Sequence, residues 1–77
     1  MTHAELTHAL RTLGWTEKAF DSGTVDFYLT DGPVDRMVRM IPSDPTHAMC
    51  ADRDGGRSVT SIEEAATWAR ACMPNVL

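Results

Sequence analysis

The 77 residues, 43% hydrophobic and 23% charged, suit one domain over 1–77 and are too apolar for a disordered chain, although folding one so short hides only roughly 60% of its unfolded surface. No run approaches the roughly 18 apolar residues that span a bilayer, and the start Met1-Thr2-His3-Ala4-Glu5 has no basic leader, so a membrane protein is excluded and a cytoplasmic one expected. The net charge of −4 disfavours direct binding to nucleic acid, because carboxylates repel phosphate.

Thr2 followed by Glu5 has the spacing of a capping box, and Leu6, Ala9, Leu10 and Leu13 recur as one apolar helical stripe that ends at Gly14, a natural left-handed cap. This predicts a helix over 3–13. Residues 15–20 read as a short edge strand or an irregular turn before Asp21-Ser22-Gly23. From Thr24 to Thr30 the chain alternates cleanly, with Val25, Phe27 and Leu29 on one face and Asp26, Tyr28 and Thr30 on the other. Asp31-Gly32 is the sequence of a tight hairpin turn, and Pro33 stands where a strand start tolerates a missing donor.

The next strand, 34–41, is apolar on both parities, with Val34, Val38 and Met40 against Met37 and Ile41, as befits a central strand or one whose outer face meets something. Pro42-Ser43-Asp44-Pro45 breaks it, a weaker strand covers 47–52, Asp54-Gly55-Gly56 turns the chain, and Val59 belongs to the return arm. Overlapping Thr60-x-x-Glu63 and Ser61-x-x-Glu64 boxes start a helix over 62–73, with Ile62, Ala65, Ala66, Ala69 and Met73 as its stripe and Pro74 as its stop. The order predicts an α+β fold: a three- to four-stranded antiparallel meander with an N-terminal and a C-terminal helix on one face. The core should be Leu6, Leu10, Leu13, Val25, Phe27, Leu29, Ile62, Ala66 and Ala69, leaving the face with Asp26, Tyr28, Asp35 and Arg39 open.

The charge is unevenly spread. Glu5 and Glu17 balance Arg11 and Lys18, and Glu63 and Glu64 balance Arg57 and Arg70, so the imbalance lies in 21–54, where seven aspartates meet three arginines. Asp21, Asp31, Asp44 and Asp54 sit beside turn formers, which explains them. Asp26, Asp35 and Asp52 fall within strands, where aspartate is unfavourable, and mark either a solvated face or a binding surface.

Chemistry-bearing patterns are incomplete. His47-x-x-Cys50 with Asp52 is short of the four ligands of a closed zinc site, and a calcium loop counted from Asp52 puts Gly56 at a ligand position, while one aligned on Gly55 puts Cys50 first and Ser61 last. Nothing in the sequence orients His47 to activate Cys50, and Gly55-Gly56 opens no phosphate-binding helix. Two cysteines make no disulfide framework and read as buried thiols. The expectation is a protein without enzymatic activity, metal or cofactor.

Six arginines against one lysine, nine alanines, one asparagine and no glutamine suggest a GC-rich bacterial or phage coding sequence. In size, acidity and helix–sheet–helix order the chain resembles the anti-CRISPR proteins of phages and mobile elements, which share no residue motif. The resemblance implies a stoichiometric inhibitor in the bacterial cytoplasm that docks on a basic, DNA-binding surface of a CRISPR effector, its carboxylates standing in for phosphates. The charge map supplies the partner-binding candidates Asp26, Asp31, Asp35, Asp44, Asp52, Asp54 and Tyr28. The alternative is a small structural, assembly or antitoxin-like module that associates through an apolar sheet face. An exposed patch at Tyr28, Met37, Ile41 and Trp68 favours that alternative; their burial removes its interface. Such a protein is expected as a monomer, or as a dimer if that face pairs with itself.

Overall fold

The first helix, α1 (His3–Thr12), forms where the spacing placed it. Thr2 Oγ1 accepts from the Glu5 amide at 3.2 Å and the Glu5 carboxylate takes the Thr2 amide at 3.0 Å, so both halves of the capping box are closed. At the other end Gly14, at φ +86°, donates to the Arg11 carbonyl and Trp15 to the Leu10 carbonyl. That bond pair is a Schellman cap, and it turns the chain so that Trp15 lands in the core. The computed structural model describes residues 1–31, 34–52 and 55–72, apart from the side chains of residues 30, 31, 34 and 35.

After α1 come β1 (Thr16–Ala19), β2 (Val25–Asp31), β3 (Val34–Met40), β4 (His47–Asp52) and β5 (Arg57–Ser61), then α2 (Ile62–Ala71). The sheet is an antiparallel meander in the order β1-β2-β3-β4-β5, five strands where three or four were expected. The two short outer strands explain the difference. All four residues of β1 are exposed, and the only large apolar residue of β5, Val59, faces solvent, so neither gives an alternating signal. The strand apolar on both parities, β3, is indeed the central one.

Turn chemistry sets the register. Gly23, at φ +91°, closes a three-residue loop in which the Phe20 amide donates to the Thr24 carbonyl and the Gly23 amide to the Phe20 carbonyl. The same two bonds recur between Asp52, Gly55 and Gly56, with Gly55 at φ +85°. Between β2 and β3 the closing pair is Asp31 with Val34, so residues 32 and 33, which lie outside the described residues, connect the strands. Gly32 of the expected Asp31-Gly32 turn, and Pro33 after it, are thus outside the described residues.

Register also fixes the faces. Phe27 pairs with Val38 and Val38 with Cys50, while Val25 pairs with Met40. These side chains meet Leu6 and Leu10 of α1 and Ile62, Ala65, Ala66 and Ala69 of α2, so both helices cover one face. Leu13, Val25 and Leu29, expected in the core, pack partly buried at its margin. The alanines of α2 let that helix lie close, and Trp68 meets Trp15 edge to face at 6.3 Å. Ser61 ends β5 and caps α2 at once, its hydroxyl accepting from the Glu64 amide, so no loop separates strand from helix. Among the described residues no helix is long and apolar enough to cross a membrane.

Candidate interaction face

Neither helix covers the second sheet face, and the register arranges it in rows. One row crosses all five strands through Lys18, Asp26, Arg39, Met49 and Val59; the next runs through Thr16, Tyr28, Met37, Ala51 and Arg57. Chemistry changes along the first row, from charged on β1–β3 to apolar on β4–β5. Val59 is 67% exposed and Ile41, just past β3, 42% exposed. Ile41, Met49 and Val59 line a shallow groove of about 90 Å³ whose walls are Arg39, the loop residue Asp44 and His47 at the start of β4.

Asp26 is the unexpected member of this face. Expected on a solvated surface, its side chain is instead 0% exposed, and this corrects its place among the surface charges. The reason is local. Arg39, directly opposite on β3, lies across it and donates from Nε to Oδ1 at 2.7 Å and from Nη2 to Oδ2 at 2.9 Å. The Tyr28 hydroxyl adds a third donor to Oδ2 at 2.7 Å. A desolvated carboxylate is tolerable only with such a set of charge-assisted bonds. The guanidinium bonds hold Asp26 below the usual carboxylate range against the upward pull of burial, and the Tyr28 bond acts the same way. Reciprocally, the carboxylate raises the Tyr28 phenol and the Arg39 guanidinium above their ordinary values. The result is a rigid, neutralised plate at the middle of the open face.

The other nominated aspartates whose side chains are described, Asp44 and Asp52, do not gather. Asp44 sits before β4, where His47 Nδ1 and the Thr46 hydroxyl reach Oδ1 at 3.0 and 3.3 Å; the His47 bond is the main cause that keeps its carboxylate below the usual range. Asp52 ends the same strand, roughly 17 Å away at about 3.4 Å per residue, and its Oδ1 accepts from the Gly56 amide at 3.0 Å. The side chains of Asp31 and Asp35, and Asp54 as a whole, lie outside the described residues. Of the nominated residues the structure therefore brings Asp26 and Tyr28 together, in a bond to each other.

Asp52 belongs to a second concavity on the helix side, about 260 Å³, between α2 and the β4–β5 hairpin, lined by Cys50, Ser58, Thr60, Glu64 and Trp68 as well. Burial pushes the Cys50 thiol up, with the Thr60 hydroxyl pulling weakly the other way, so the sulfur is less nucleophilic than an ordinary cysteine. His47 and Cys50 have opposite parity on β4 and face opposite sides of the sheet. Both cysteines are free.

Sequence reasoning named Tyr28, Met37 and Ile41 on the open face but missed Met49 and Val59. Val59 could have been found from the return arm, whose parity with Ser61 was countable. Trp68, grouped with the apolar candidates, is half-buried on the helix side. Comparison with protein-family models, curated proteins and solved structures finds no match to this chain.

Proposed function

We propose that this chain is a non-catalytic interaction module that docks a partner protein on its open sheet face. The observation that carries the reading is the exposure of Val59 and Ile41 beside Met49, on the face that neither helix covers. Large apolar side chains left together in water cost free energy that a partner recovers, and contiguous patches of this kind mark association sites. The Asp26–Arg39–Tyr28 plate supports the same reading. It gives the face a fixed, amphipathic centre made of arginine and tyrosine, the residue types that concentrate binding energy at interfaces. On the helix side, a thiol raised by burial supports the absence of cysteine catalysis.

Site-specific photo-crosslinking tests this in the cells the protein comes from. A photoreactive phenylalanine at Ile41 or Val59 should give discrete protein adducts, whereas the same probe at Thr67 or Arg70, exposed on α2, should not. Adducts from the α2 positions alone would refute the assignment of the face.

A further inference from the structure

Among the described residues the open face and its groove wall carry Lys18, Arg39 and Arg57 against Asp26 and Asp44, a small positive surplus on an acidic chain, and the inference below rests on reading that face as the docking surface. Its charged side chains among the described residues are Lys18, Asp26, Arg39 and Arg57, and Asp26 is consumed by Arg39. Arg57 is exposed on β5, two residues from Val59 and on the same side of the strand. Arg39 is 37% exposed at its side chain. With Nε and Nη2 bonded to Asp26, the guanidinium is held in place at the surface, where its exposed edge faces an incoming acceptor. The apolar strip of Met49 and Val59 therefore lies between two arginines, one further along β5 and one across the sheet, with Lys18 at the far edge. Asp44, the carboxylate on the groove wall, is occupied by Thr46 and His47.

We propose that this face takes a protein segment with an apolar centre and flanking carboxylates, the apolar side chains seating on Ile41, Met49 and Val59 and the carboxylates reaching Arg57 and Arg39. Charge complementarity selects this occupant over two others. A second copy paired face to face would bring two faces with the same positive surplus together, a like-charge penalty that a carboxylate-bearing segment does not meet. A nucleic acid would bring a phosphate at every step to a face whose described cations are Lys18, Arg57 and the already paired Arg39, on a chain of net charge −4. The net acidity of the rest of the chain disfavours an acidic partner away from this face, so the field helps to orient the encounter.

The test uses synthetic peptides of about ten residues, long enough at about 3.4 Å per residue to cross the sheet, in which Glu alternates with Leu and Phe, with Gln-for-Glu and Lys-for-Glu counterparts. Amide shift mapping should place the Glu peptide on β3–β5. Its affinity should fall about tenfold between about 0.05 and 0.5 M salt, and by a similar factor in Arg57→Glu with an unchanged circular dichroism spectrum. Equal binding of the Gln peptide at the same face would overturn the acidic preference while leaving the docking face intact. Tighter binding of the Lys peptide, or no binding of any of the three, would overturn the inference as stated. Face shifts that grow with protein concentration alone would identify a second copy instead. Perturbations confined to the helices would remove the face and the inference together.

Discussion

Removing the cover of Asp26 measures how much the open face depends on its ion pair. In Arg39→Ala the carboxylate keeps the Tyr28 hydroxyl and loses both guanidinium bonds, while its side chain starts from 0% exposure. Breaking a buried pair on one side typically costs about 3–5 kcal/mol, because the remaining charge is left unsolvated. Here the cover is one guanidinium thick and 37% exposed, so water enters once it is gone and the cost falls below that range, to about 2–3 kcal/mol. Asp26→Asn in the Arg39→Ala background should restore part of this, because an amide is cheaper to desolvate than a carboxylate. The double-mutant cycle should therefore show a coupling of about 1.5–3 kcal/mol, the range of charged hydrogen bonds. Urea denaturation at neutral pH reads all four corners. A cost under about 1 kcal/mol for Arg39→Ala, additive with Asp26→Asn, would show that the pair is screened like an ordinary surface bridge.

Acid should act through the same pair. Folding lowers the Asp26 pKa, so its contribution is fully present above the unfolded value near pH 4 and is lost as pH falls through the lower folded value; Asp26→Asn should flatten the stability slope below about pH 4, read from urea midpoints. Leu10→Ala should cost about 2–5 kcal/mol, since Leu10 is fully buried where α1 meets the sheet, and an unmoved denaturant midpoint would contradict that. Alkylation followed by mass spectrometry should find Cys50 slower than half-buried Cys72 in the native protein and equal to it in urea; equal native rates would show that the Cys50 thiol is neither covered nor raised.

The helices were legible because their signals are local. Thr2 with Glu5, the Leu6–Leu10 spacing, and Ser61 with Glu64 each lie within one or two turns and act through bonds that short range alone decides. The overlapping boxes at 60 and 61 were settled only by the fold, which extends β5 to Ser61 and so leaves that residue as the cap. The central strands were legible by alternation. At the edges, β1 and β5 bury too little for a pattern to form, and what makes them strands is the ladder offered by a neighbour already in place, information that resides in β2 and β4.

Charge misled for a related reason. Counting acids along 21–54 assigns them to a stretch of chain, whereas a partner meets a face, and period-two geometry sends neighbours in a strand to opposite faces. Asp26 and Arg39 are thirteen residues apart in sequence and directly opposite in the sheet, so the carboxylate that most suggested an acidic surface is the one cancelled there. Lys18 and Arg57, which balanced helix glutamates in the linear count, come from the two edge strands onto the same face. A pairing of the two central strands by hydrophobic parity places Asp26 and Arg39 together before any coordinate is known. What parity does not supply is that Arg39 lies down over Asp26 instead of extending into water. That depends on Tyr28 standing next to the same carboxylate and completing its bonds, a contact set by side-chain geometry within β2.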